Sequence, residues 1–468
     1  MSSKRNIVII AACAFLFGLL FAYYLYTIGD LSQFPVKTDF YKFYKSAGFF
    51  LEGKSIYSPV SFTLDDDLSD RLTPKAKAAM NTLHPNMNAP FHTLFVLPLG
   101  ALPFNTAFWL WSIISLCLSL ITVGLIAYIQ PFSDYERIKR SSPNHHKTLA
   151  DTPVRIGTGK TSVEASGENQ IAPCKILYKT YAADVLILWI IILLYFPTWV
   201  NIASGQFGLF LLGTIVLIWL SARKRKYQLA GIILGIAMSV KIFLGLFLVF
   251  FAVQRRSKVL FCAVTVFVFC NIISLIVFGF SDYKKYLDLI AASHLYINSS
   301  WNASLCAFFT RVFGGAENIP LIELPAVAYG LAFVLSFLLI AGLMRTAWRR
   351  PRDKSALIRF DIGFSLTIAA MLLISPFGWI YYFPALIITM LTIWHASSAL
   401  GAGRLYKPLL IGAWILTCIP VHLINSEEAA MNEPIVWFTT SGYSFYALII
   451  FCCLLFALSR KLGKMKAD

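Results

Sequence analysis

In so apolar a chain, a few polar groups stand out by position: Asp39, the run Asn201-Ile202-Ala203-Ser204-Gly205-Gln206, Lys241, and the stretch from Ser281 to Asn318. Asp39 lies about ten residues beyond an apolar run ending near Ile28, just outside the hydrocarbon, where a carboxylate stays ionised and still reaches a lipid headgroup. That is a position for chemistry on a lipid substrate. Polar groups at membrane depth are expensive, so each has a partner or a function. Both readings are open here: Asp39 can pair with Lys37 or Lys42, Lys241 can snorkel or meet a carboxylate, and Gln206 beside Gly205 can act as helix-packing glue.

The elements that must position these groups follow from periodicity and length. After Lys37-Thr38-Asp39, the stretch Phe40 to Gly53 reads as an interfacial helix, with Phe43, Ala47 and Phe50 on one face and Lys42, Lys45 and Glu52 elsewhere. It belongs to a loop running from about Gly29 to Pro90, the candidate catalytic loop. Phe91 to Leu102 is apolar but only about 12 residues long, and it contains Pro98. At about 1.5 Å per residue it cannot cross about 30 Å, so it enters and leaves on one side. Full spans are expected up to Ile28 and over Phe104–Ile129, Ala182–Trp199, Phe207–Ala222, Leu260–Phe280, Pro320–Met344, Phe360–Ser375, Tyr381–His395, Pro408–Ile424 and Tyr443–Leu458, about ten in all. Leu229 to Val253, with Lys241 at its middle, fits two half-length helices returning to one side better than one span with a buried charge.

Composition agrees. With 58% hydrophobic residues, 13% charged residues and a mean hydropathy of +0.70, the chain is an all-α polytopic membrane protein, read as one integral domain over residues 1–468. The net charge of +17 does not point to nucleic acid, because the Lys and Arg residues gather in short clusters between apolar runs, where they set topology. Lys4 and Arg5 precede an uncleaved anchor, and the clusters at 223–226, 255–256, 345–354, 404–407 and 460–466 then all fall on the cytoplasmic side with both termini. The loop 425–442, acidic and without Lys or Arg, falls outside. Residues 130–180, with eight basic and five acidic residues around a Ser/Thr/Gly-rich centre, read as a cytoplasmic disordered insert. Its Gly157-Thr158-Gly159-Lys160-Thr161 lacks the spacing of a phosphate loop. Asp65-Asp66-Asp67 reads as a solvated turn, and the nine cysteines show no metal or disulfide spacing.

A set of ordered motifs resembles glycosyltransferase family 87, membrane enzymes of the GT-C class. Asp39-Phe40-Tyr41 with Gly53-Lys54-Ser55-Ile56-Tyr57 is similar to its opening. Asn86-Met87-Asn88-Ala89-Pro90 with Pro98-Leu99 and Leu102-Pro103 resembles its N-x-N-P-P and P-L-x-x-L-P segment. Gly205-Gln206, then Ala230 to Gly235 leading to Lys241 and Arg255-Arg256, resembles its central block. Asn298 to Arg311 and Ser375-Pro376-Phe377-Gly378-Trp379 resemble its loop and S-P-x-x-W turn. Three departures stand out: Ala89 replaces one of the paired prolines, Tyr381-Tyr382 stands where the family often has histidine, and the Gln130 to Thr180 insert has no assignable counterpart.

The resemblance implies a GT-C fold and inverting transfer of a sugar, mannose or a similar hexose or pentose, from a polyprenyl phosphate donor to a lipid or glycan acceptor. It places the enzyme in a bacterial inner (plasma) membrane with the site facing the extracytoplasmic side. Asp39 is then the candidate base, and Lys241 and Arg311 the candidate donor-phosphate ligands. Tyr41, Asn88, Gln206, Asn302, Ser304, Trp379, Tyr381 and Tyr382 are candidate substrate contacts. A lipid phosphate leaving group requires no metal, and no cofactor is implied. The other readings are a transporter or flippase of lipid-linked sugars, which should show an internal repeat that is not evident here, or a lipid-linked glycan polymerase or ligase.

Overall fold

A computed structural model describes residues 2–59, 86–129, 132, 135, 184–291, 297, 299–314, 322–348, 355–421 and 442–464. Asp65 to Asp67, nearly all of the 130–180 insert, Asn298, Glu317 and the acidic 425–442 loop up to position 441 lie outside these residues. Among the described residues the regular structure is helical, apart from one bridge between Asn302 and Trp379.

The first apolar run forms α1 (Ser2–Ser32), a turn longer than expected, and α2 (Phe40–Leu51) follows with Phe43 and Ala47 buried as its pattern requires. The short apolar segment folds as α3 (Pro90–Val96) and a 3-10 turn (Leu97–Ala101), and α4 (Phe104–Ile129) crosses after it. Next comes a broken span, α5 (Asp184–Leu194) and α6 (Phe196–Ser204), bent by 63°. Then follow α7 (Gly208–Arg223), α8 (Tyr227–Val240), α9 (Leu246–Val253), α10 (Ser257–Ala291), α11 (Leu305–Phe313), α12 (Pro325–Ala347) and α13 (Ala356–Ile374). A 3-10 stretch (Ile380–Leu386) runs into α14 (Ile387–Ala399), and α15 (Gly403–Cys418) and α16 (Tyr443–Lys464) complete the set.

Among the described residues seven of these units are long and apolar enough to span alone, and the bent α5–α6 pair makes an eighth if its two helices form one span. The remaining two expected spans, α7 and α15, have 16 residues each, about 24 Å of helix against about 30 Å of hydrocarbon. For α7 the reason is its surroundings: it is buried along nearly its whole length, and a helix sheathed in protein need not match the bilayer. The expected external stretch from Ser281 is also not a loop throughout. α10 turns at Gly279 and stays helical to Ala291, and α11 follows.

Burial sorts the helices into a centre and a rim. α13 is buried along nearly its whole length, with Phe360 and Phe364 packed on Phe247 and Phe250 of α9. Phe15 on α1, Phe261 and Ile276 on α10, and Phe333 and Phe337 on α12 stay exposed, the arrangement a lipid solvent favours.

The region around Lys241 folds as a hairpin. α8 ends at Lys241, whose backbone is extended, and the chain turns through a 3-10 segment (Ile242–Gly245) into α9. Arg256, just past α9, lies 4.5 Å from the ring centroid of Tyr227 at the start of α8, so the two ends of the hairpin meet. Gly231 and Gly235 let α8 lie against α10: a Cβ there would fall 2.5 Å from Val259 O and 2.6 Å from Ala263 O. Near the ends of the hairpin, Gln254 Nε2 donates to Ala347 O (2.6 Å), and Arg255 lies over Trp348. A buried network elsewhere joins Tyr135, α7 and α13. Asp361 accepts from Trp219 Nε1 and Tyr135 OH, both at 2.8 Å, and pairs with Arg223.

Candidate active site

Asp39 stands at the N-cap of α2, yet its side chain makes no cap hydrogen bond. Its two oxygens point elsewhere. Lys42 Nζ donates to Oδ1 at 2.8 Å, and Gln206 Nε2 donates to Oδ2 at 2.9 Å. The local ion pair weighed from the sequence is therefore present, and the turn between α6 and α7 also reaches the carboxylate. About a third of the Asp39 side chain remains accessible (34%), so lone pairs are left for another partner. Burial by itself raises this carboxyl, but the charge and hydrogen bond of Lys42, the hydrogen bond of Gln206 and the Lys241 ammonium outweigh it and hold it below its usual value. Asp39 is ionised at neutral pH.

Gln206 reaches Asp39 because of the glycine before it. Gly205 ends α6 at φ 65°, and a Cβ there would lie 2.5 Å from Phe40 Cβ, at the first turn of α2. Its carbonyl accepts from Trp111 Nε1 (2.9 Å), which fixes the turn. Asn201 holds it from the other side: its carbonyl accepts from Gln206 N (2.9 Å), and its Nδ2 donates to Tyr381 O (3.0 Å). Gln206 is buried, and its Oε1 has no hydrogen-bond partner.

Lys241, at the tip of the hairpin, donates to Asn88 Oδ1 and lies 5.3 Å from the ring centroid of Tyr382. Asn88 is fixed in turn. Asn86 Oδ1 accepts from its backbone N–H and its Nδ2, and its carbonyl accepts from Tyr57 OH (2.6 Å). The segment carrying Tyr57 is tied to α10 by Asp282, which accepts from Ser55 Oγ (2.5 Å) and Ile56 N (3.1 Å). Four separate parts of the chain thus converge on Asp39, Gln206, Asn88 and Lys241. Tyr381 and Tyr382 stand edge to face at 4.7 Å beside them.

The other expected residues form an adjoining clasp. Asn302 Nδ2 donates to Pro376 O (2.7 Å) and Ile297 O (2.9 Å), and its Oδ1 accepts from Gly378 N (2.9 Å) and Ser304 N (3.1 Å). Ser304 Oγ caps α11 through Ala307 N (3.0 Å) and also contacts Pro376 O. Arg311 Nη1 donates to Ser299 O and Asn302 O, while its Nε and Nη2 have no partner although the residue is buried. Trp379 links clasp to centre by stacking on Tyr381 (6.0 Å). Tyr41 packs edge-on against Phe104 at 5.6 Å.

Sequence reading missed several contributors. Asn86, Tyr57 and Asp282 position Asn88; Asn86 and Tyr57 lie inside motif segments without having been singled out, and Asp282 is a carboxylate just beyond an apolar run. His92 is fully buried between Phe43 (4.6 Å) and Phe207 (3.9 Å), with neither ring nitrogen hydrogen-bonded. Nothing in Pro90-Phe91-His92-Thr93 distinguishes it from a core aromatic.

The fold and this grouping define a polytopic helical membrane protein with a carboxylate, two amides and a lysine gathered at one place in the bundle. The family model of glycosyltransferase family 87 matches residues 86–376, more than half of the chain, and the chain belongs to that family. It is a membrane glycosyltransferase. The match includes Asn88, Gln206, Lys241, Asn302, Ser304 and Arg311 and ends at Pro376, whereas Asp39 precedes it. Neither a curated protein nor a solved structure matches the chain.

Proposed function

We propose that this glycosyltransferase moves a hexose or pentose from a polyprenyl phosphate donor to a hydroxyl of a lipid or glycan acceptor, with inversion, on the extracytoplasmic side of the membrane. The observation that carries the reading is the joint hold of α2 and the Gly205-Gln206 turn on an ionised Asp39, within electrostatic reach of Lys241. In this reading Asp39 accepts the proton of the acceptor hydroxyl as that oxygen bonds to the anomeric carbon. The bond from that carbon to the phosphate oxygen breaks, and the electron pair leaves with the lipid phosphate. Lys241, held by one amide oxygen, has N–H groups to offer the leaving phosphate. Arg311 is the second cation, with two unused N–H directions. Asn88 and Gln206 orient the reacting groups, with Tyr381 and Tyr382 alongside. Asn302, Ser304 and Trp379 hold the 376–382 segment in place, and Tyr41 packs α2.

The test is transfer by purified protein from a panel of polyprenyl phosphate sugars, alongside Asp39→Asn. That change keeps size and hydrogen bonding but removes the proton acceptor, so transfer should fall by ~10²–10⁴-fold while donor binding survives. A folded, monodisperse Asp39→Asn protein that turns over at the wild-type rate would remove Asp39 from the mechanism.

A further inference from the structure

The far end of α14 carries a feature that sugar transfer does not use. Tyr381 and Tyr382 open the Ile380–Ala399 unit, and Ser398 closes it about 25 Å away along the helix. Beyond it a groove of about 660 Å³ is lined by Ser398, Gly401, Arg404, Leu405, Tyr406 and Lys461, with no carboxylate among the described residues of its wall. Lys461 Nζ donates to Gly401 O at 3.2 Å, which joins α16 to the turn before α15. Among the described residues no carboxylate pairs with Arg404, Lys407, Arg460, Lys461 or Lys464. The cluster is therefore open to an external anion.

Two observations select the kind of anion. Beside the groove the surface is apolar: Leu405, in its wall, is 63% exposed, and Leu409 and Trp394, one helical turn from Leu405 and Ser398, are also exposed. Lys407 Nζ sits 4.0 Å from the Trp394 ring centroid, the pairing of aromatic and cation typical of the headgroup level. A ligand that satisfies both parts has a phosphodiester for Arg404 and Lys461 and acyl chains for the rim.

We propose that this groove is a binding site for one anionic phospholipid, remote from the transfer site and independent of the reading given for it. Basic pockets between transmembrane helices suit such headgroups, each cation contributing about fivefold in affinity.

The experiment is native mass spectrometry of the full-length protein in zwitterionic detergent, titrated with phosphatidylglycerol, phosphatidylcholine or inorganic phosphate. Phosphatidylglycerol should bind with the highest affinity, and Arg404→Gln with Lys461→Gln should weaken it roughly 30-fold. Lys258→Gln, a cation outside the groove, should leave it unchanged. If the double variant fails to fold, Arg404→Gln alone, at an exposed side chain, should weaken binding about fivefold. Wild-type affinity in these variants, an equal loss in Lys258→Gln, or equal binding of phosphatidylcholine would overturn the site. Equal binding of inorganic phosphate would overturn the lipid as its ligand.

Discussion

At the scale of single residues, the instructive pair is Asp39 and Lys42. Their ion pair is partly exposed and stabilises the fold little, since such pairs contribute about 0–1 kcal/mol. Its larger effect is on proton affinity. Lys42→Met removes an ammonium that holds Asp39 below its usual value, so the carboxyl should rise and the acid limb of the kcat/KM profile should move to higher pH. The sign for stability follows: a depressed carboxyl contributes above its unfolded value of about 4, and that contribution disappears as pH falls through the folded value. An unshifted limb in Lys42→Met would mean that Asp39 does not govern the rate. Lys241 makes a separate prediction. Lys241→Ala should weaken donor binding more than Lys241→Arg, which keeps the charge, and isothermal titration with the lipid donor measures both. Equal wild-type binding would reduce Lys241 to packing against Asn88 and Tyr382. Asp39, Gln206 and Lys241 could be picked from sequence because a polar group in an apolar run is conspicuous. Their mutual contacts could not, since Asp39 and Gln206 are 167 residues apart and Lys241 and Asn88 are 153.

At the scale of elements, length and periodicity carried most of what was legible. The helix α2 followed from its apolar face, and the short α3 segment and the hairpin broken at Lys241 from counting residues against the bilayer. What counting missed was burial. α7 is short because protein surrounds it, and α10 continues past its apolar run because Asp282 is engaged by the 55–56 backbone and hydroxyl. The hairpin also rests on a contact no local pattern states, the approach of α8 to α10 at Gly231 and Gly235. Gly235→Leu would drive a side chain into Ala263 O and should cost roughly 1–3 kcal/mol. Thermal unfolding in detergent would show the loss, and a raised KM for the donor would show that Lys241 has moved. Wild-type values for both would mean that α8 does not need the close approach.

At the scale of the whole molecule, the basic ends of the hairpin and the carboxylate at its tip's end give the protein a direction. Arg255, Arg256 and Lys461 belong to clusters expected in the cytoplasm, and the chain from Lys37 to Tyr57 is expected outside. A reporter fused after Lys464 should therefore read cytoplasm, and one inserted after the exposed Lys54 should read the opposite side. Both reporters on one side would overturn the orientation. Charge clusters make this arrangement legible from sequence, whereas the order of helices from centre to rim depends on which faces pack and needs coordinates. The close fit of α8 and α10 also bears on biosynthesis. When the ribosome has made α8 and α9, the surface that receives Gly231 and Gly235 has not yet left the exit tunnel, so α8 lacks the helix it packs against at those two glycines. The close-packed face of α8 is filled only when α10 follows. The Lys241 hairpin is thus completed backwards along the chain, the later helix seating the earlier pair.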